Sequence, residues 1–207
     1  MNQNLTAIGV VIDNSSSMGP TRSDTVGGFN TFLADQKALP GDATLTLAFF
    51  NHKYELIHDS VPLKDVADLT LDTYRTHGNT ALLDAIGKTV NSMGAKLAAM
   101  AEADRPGKVI LVILTDGEEN TSQDFSLDQI LTMLKHQQEV YSWEVVYLGA
   151  NQNAAEIGKK MGIHAGNSVN YAATGVGTRS AYSVISQRVT HSRSMPSTPD
   201  SGSSQVP

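Results

Sequence analysis

The chain has 207 residues, 40% of them apolar, and a formal net charge of -6. That is enough chain for one substantial core, and acids and bases are interspersed, so no basic stripe points to nucleic acid and no basic amphipathic helix to a membrane surface. There is no cysteine, which excludes a disulfide framework and a thiolate metal site; any metal has to be held by oxygen or imidazole.

The longest apolar run, VILVIL at Val109 to Leu114, is far shorter than the ~20 residues that a membrane helix needs. The opening MNQNLTAIGV carries no Lys or Arg and leads straight into an apolar run, unlike a secretory signal, so the expectation is a cytoplasmic protein.

TAIGVVID (Thr6 to Asp13) reads as a buried strand, and the following DTVGGFNTFLADQKAL offers Val26, Phe29 and Leu33 at helical spacing. ATLTLAFF (Ala43 to Phe50), the short turn Asn51-His52-Lys53 and YELIHDSV (Tyr54 to Val61) form a hairpin pattern, which predicts one antiparallel edge strand. After a polar connection containing GNT, Leu83, Ile86, Val90, Met93, Leu97 and Met100 recur at spacings of three and four, predicting one amphipathic helix over Ala81 to Ala103 whose stripe faces its own sheet. KVILVILT (Lys108 to Thr115) is the most apolar segment and reads as a central strand, followed by a helix over Ser126 to Gln138. WEVVYLGA (Trp143 to Ala150), a helix near Asn153 to Met161, a weak strand near Ser168 to Tyr171 and a helix near Thr178 to Thr190 complete the alternation. Such alternation implies an α/β fold with a mostly parallel sheet covered by helices on both faces. The end of the chain, residues 191–207, changes to Ser and Pro with few apolar residues; it reads as a flexible tail beyond one domain spanning 1–190.

In an open parallel sheet, ligands bind beyond the carboxyl ends of the strands, where strand order reverses. Asp13, Ser15 and Ser17 follow the first strand, in VVIDNSSSMG; Asp116 follows the central strand, in ILTDGEEN; Thr80 lies in the Gly78-Asn79-Thr80 loop before the long helix. Each has a local explanation, as an N-cap or a turn residue. Together, two carboxylates and three hydroxyls are the hard oxygen ligands that Mg²⁺ or Mn²⁺ prefers, and so small a protein set leaves coordination positions for water or an outside carboxylate.

The pattern resembles the von Willebrand factor type A domain, in the compact form of bacteria and their phages. Asp13, Ser15 and Ser17 match its Asp-x-Ser-x-Ser element, Thr80 its threonine and Asp116 its second aspartate, the five residues of a metal-ion-dependent adhesion site. The resemblance spans roughly Ala7 to Val189 and implies a doubly wound sheet of six strands with one antiparallel edge strand. It also implies a bound Mg²⁺ or Mn²⁺ that captures an Asp or Glu of a protein partner. Asn14, Asn79 and Glu118 are expected on the rim, and Glu119 either tunes the charge of the site or lies in a solvated loop. The alternative is a structural component of a larger assembly such as a phage particle, in host cytoplasm or virion, with the ion only stabilising loops.

Other motifs carry less. Gly87-Lys88-Thr89 ends like a phosphate-binding loop, but Leu82 stands where the first glycine of that loop belongs, and the triplet lies inside a predicted helix. Gly175-Val176-Gly177 reads as a turn starting a helix. His52, His58 and His77 lack ligand spacing. A phosphotransferase motif would carry a second aspartate where Ser15 stands, so a metal-dependent phosphohydrolase is the weakest reading and no catalysis is expected.

Overall fold

The computed structural model describes residues 1–150 and 153–195. Strands β1 (Asn2–Asp13), β2 (Asp42–Phe50), β3 (Tyr54–Pro62), β4 (Pro106–Thr115), β5 (Glu144–Ala150) and β6 (Ser168–Tyr171) form one sheet. Helices α1 (Arg22–Ala38), α2 (Leu82–Ala99), α3 (Leu127–Tyr141), α4 (Ala154–Lys160) and α5 (Gly175–Ser194) cover it.

The strand order is β3-β2-β1-β4-β5-β6, with every neighbouring pair parallel except β2 and β3. This is the doubly wound arrangement with one antiparallel edge strand that the alternation of patterns predicts. The β2–β3 pairing shifts register at Leu47, and Ser60 on β3 has a φ of 54°; such irregularity blunts an edge that would otherwise recruit another strand.

Residues 7–12 of β1 and 109–114 of β4 are apolar and buried because both faces are covered. Ile8, Val10, Ile12, Ile110, Val112 and Leu114 pack with Phe29, Leu33, Tyr182 and Ile185 of α1 and α5. Val11, Leu111 and Ile113 pack with Ile86, Val90, Met93, Ile130 and Leu134 of α2 and α3. Burying each such Leu, Ile or Val contributes about 1.5–3 kcal/mol. The absence of a side chain at Gly9 lets α2 approach β1: a Cβ there would lie 2.6 Å from Met93 Sδ. Gly87, in the triplet resembling a phosphate loop, has the same use, since the Phe125 ring would meet its Cβ at 2.6 Å.

Some boundaries differ from the sequence expectation. Helix α2 ends at Ala99, not Ala103, where Arg105 reaches back to cap it, donating to the carbonyls of Ala98 and Met100. Helix α5 continues past His191 to Ser194, its last carbonyls taken by the Lys108 ammonium, which bonds Ser192, Arg193 and Met195. Favourable cation placement at a helix C-terminus explains why a polar segment stays helical. The remainder of the expected tail, 196–207, lies outside the described residues. Among the described residues no helix is long and apolar enough to cross a membrane.

Candidate metal centre

Strand order reverses between β1 and β4, so their carboxyl ends flank the topological switch point. The register pairs Ile12 with Leu114, which sets Asp13 beside Thr115 and brings Asp116 one residue beyond. Asp13 is fully buried. Its Oδ1 accepts from the Ser15 amide at 2.7 Å and its Oδ2 from the Thr115 hydroxyl at 2.5 Å, and its carbonyl accepts from the Tyr74 phenol. The Ser15 and Ser17 hydroxyls are 3.0 Å apart, and Ser17 Oγ donates to Asp116 Oδ1 at 2.5 Å.

Thr80 comes from a separate loop that is tied to both others. The Ser16 amide bonds the Gly78 carbonyl at 3.0 Å, and the His77 amide bonds the Asn14 carbonyl at 2.8 Å. Thr80 and Asn120 exchange bonds, Thr80 N to Asn120 Oδ1 at 3.0 Å and Asn120 N to the Thr80 carbonyl at 3.1 Å. The hydroxyl of Thr80 makes no hydrogen bond among the described residues. Gly117 marks the convergence: a Cβ there would lie 2.8 Å from Thr80 Oγ1, 3.5 Å from Ser17 Oγ and 3.6 Å from Asp13 Oδ2. All five residues read from the sequence thus meet at one edge of the sheet.

The electrostatics leave a deficit of positive charge. Burial pushes the Asp13 carboxyl from 3.8 up to about 6, against the lowering effect of the Thr115 and Ser15 hydrogen bonds, with Asp116 adding repulsion. Burial also raises Asp116, against the Ser17 hydrogen bond. Among the described residues no Lys, Arg or His forms an ion pair with either. No group of three His, Cys, Asp or Glu able to hold a metal occurs among the described residues, so an ion here would depend on hydroxyl oxygens as well as the two carboxylates. That donor set fits a hard divalent cation, which would supply the missing charge.

The rim is narrower than the sequence suggests. Asn79 and Glu118 are exposed, but Asn14 is buried: its amide donates to the Arg75 carbonyl at 3.0 Å and its Oδ1 accepts from Asn51 at 3.1 Å, so it braces the loops from beneath. Glu119 turns away from the cluster. Its carboxylate accepts from the amides of Leu83, Thr121 and Ser122 and from the Ser122 hydroxyl, capping α2. Asp84 accepts from the amides of Gln123, Asp124 and Phe125, so the loop after β4 is strapped to the helix that Thr80 precedes. Sequence reasoning overlooked Thr115 and Tyr74. Thr115 was visible as the residue before Asp116 in TDG; Tyr74, in an irregular loop, gave no signal.

No protein-family model matches the chain, and no curated protein matches it. Solved structures do. Proximal thread matrix protein 1 from the mussel byssus, in a form with a zinc-occupied metal-ion-dependent adhesion motif, has a TM-score of 0.61 at 11% identity, over 89% of this chain and 48% of that one. A von Willebrand factor type A protein from Catenulispora acidiphila gives 0.60 at 12%, over 89% and 42%. The von Willebrand factor domain of a type V pilus tip protein from Porphyromonas gingivalis gives 0.63 at 13%, over 94% and 98%. The chain therefore spans about half the length of the first two and nearly all of the third. Its six-stranded sheet, its single antiparallel edge strand and these likenesses establish that the chain has the von Willebrand factor type A fold.

Proposed function

We propose that the chain is a divalent-cation-dependent protein-binding module in which Asp13, Ser15, Ser17, Thr80 and Asp116 hold Mg²⁺ or Mn²⁺ and a partner's Asp or Glu docks at the same edge. The observation that carries this reading is the convergence of Thr80 Oγ1, Ser17 Oγ and Asp13 Oδ2 on Gly117, where neither Asp13 nor Asp116 has a basic partner among the described residues. When bound, the ion supplies positive charge and an open coordination position. The chain's own part is to fix the donors: Thr115 and the Ser15 amide orient Asp13, Ser17 orients Asp116, and Asn120 positions Thr80. Asn79 and Glu118 border the position of the incoming carboxylate. Three hydroxyls among five ligands leave the charge of a 2+ ion less quenched than a carboxylate cage would, which suits gripping an external acid better than activating a water for attack. The neighbours, a pilus tip protein and a thread matrix protein with a zinc-occupied metal-ion-dependent adhesion motif, support a binding role.

Calorimetric titration of Mn²⁺ into metal-stripped protein, with Asp13→Ala as control, tests the ion site. Expected is one site, lost on substitution. The Mn²⁺ complex is then titrated with acetate while the relaxation of bound water is followed. Displacement of water supports acid capture; metal binding without displacement reduces the ion to a loop stabiliser, as the assembly reading requires; no metal binding refutes the site.

A further inference from the structure

At the opposite end of the sheet, a cavity of about 790 Å³ opens between the C-terminal half of α2, the end of α3 and the first residues of β4. Its floor is apolar, with Val90, Leu97, Ala98, Val109 and Trp143. A Cβ at Gly94, on its wall, would meet no atom within 4 Å, so the space reaches the helix backbone.

The charge at its mouth is one-sided. Among the described residues no Asp or Glu lines it, although the chain has 21 acids against 15 Lys plus Arg. The charged side chain on the lining is Arg105, with His136 also on the wall. Arg105 is held in place by bonds of 3.1 Å from Nε to the Met100 carbonyl and from Nη2 to the Ala98 carbonyl; its Nη1 has no partner among the described residues. A fixed guanidinium beside an apolar floor, in a cavity within the ~300–1,000 Å³ typical of small-molecule sites, suits a ligand with an acidic head and an aliphatic body.

We propose that this cavity binds a medium-chain aliphatic carboxylate, its head on Arg105 and its chain against Trp143.

Trp143 is the chain's single tryptophan, so selectively excited tryptophan fluorescence reports on this cavity alone. The full chain in EDTA is titrated with decanoate, decanol and decyltrimethylammonium. Expected is a saturable change with decanoate, with about tenfold weaker binding of decanol, the discrimination that one charge-assisted hydrogen bond provides. Decyltrimethylammonium is expected to bind more weakly still. Gly94→Leu, which places its side chain in open space, abolishes the change while leaving the circular dichroism intact; Ala98→Leu is the second plug. Arg105→Gln removes the preference for decanoate over decanol. Asp13→Ala leaves decanoate binding unchanged, so this proposal and the metal-dependent reading fail separately. Equal binding of decanol or the cation, a silent Trp143 with all three probes, or sedimentation as a stable dimer that Gly94→Leu breaks would each overturn it.

Discussion

Asp13 carries an electrostatic cost that can be removed by a single atom change. Burial lifts its carboxyl from 3.8 to about 6, so the native state holds that proton more tightly than the unfolded chain does. The stability conferred by protonation is present below 3.8 and is lost as the pH rises through about 6. The gap corresponds to about 3 kcal/mol of destabilisation at neutral pH in metal-free protein. Asp13→Asn keeps the shape and removes the charge. The Thr115 hydroxyl, which also lies 3.1 Å from the Gly117 carbonyl, can donate there and accept from the new amide, so the hydrogen-bond loss is held to about 1 kcal/mol. The net expectation in EDTA at pH 7.5 is a gain of about 2 kcal/mol, or roughly 4–8 °C in Tm for a domain of this size. At pH 4 the advantage disappears, because the wild-type carboxyl is then protonated. In Mn²⁺ the order reverses, since only the wild type gains from the ion. Thermal melts across pH 4 to 8, with EDTA and with Mn²⁺, read all of this. A substituted protein that is less stable than wild type in EDTA at both ends of the range would refute the argument that buried charge dominates the site.

Gly117→Ala drives a methyl to 2.8 Å from Thr80 Oγ1 and is expected to abolish Mn²⁺ binding by calorimetry with little change in circular dichroism. Gly78 has a φ of 76°, and a Cβ there would lie 2.2 Å from His52 Nδ1; Gly78→Ala should cost about 1–3 kcal/mol in chemical denaturation and weaken metal binding by displacing Thr80. Asp84→Ala strands the amides of Gln123, Asp124 and Phe125, with an expected loss of about 2 kcal/mol and faster hydrogen exchange confined to the loop after β4. The Tyr182 hydroxyl is buried without a partner among the described residues, so Tyr182→Phe should raise stability by about 1 kcal/mol in urea unfolding; a loss instead would mean that a buried water bonds the phenol.

The elements that could be read from sequence are those whose signal is local. β1 and β4 announce themselves as apolar runs because they are buried on both faces, and the five oxygen donors stand at strand ends or just before a helix, where a doubly wound sheet gathers its ligand loops. What escaped depends on partners far away in the chain. Asn14 looks like a rim residue until Arg75, 61 positions on, takes its amide, and Thr115 looks like strand until its hydroxyl meets Asp13 across 102 positions. Glu119 sits beside Asp116 in sequence yet serves the N-terminus of α2, reaching Leu83 from 36 positions away. The stop of α2 is of the same kind: the spacing of Leu97 and Met100 continues the stripe, but Arg105 bonds the carbonyls that mark its end.

The same cost that burdens Asp13 in the metal-free protein bears on why hydroxyls serve as ligands here. Replacing Ser15, Ser17 or Thr80 with a carboxylate would add charge beside an Asp13 that burial and Asp116 already push upward, deepening the apo-state instability and requiring still tighter ion binding to offset it. It would also over-neutralise a 2+ ion and weaken its hold on any acid from outside. Ser17→Asp separates the two requirements. It should depress the apo-state Tm at pH 7.5 and recover it in Mn²⁺, while the water displacement caused by acetate falls. Retained displacement with a third carboxylate in place would show that the charge left on the ion does not govern acid capture, and the proposed advantage of the hydroxyl ligands would have to be abandoned.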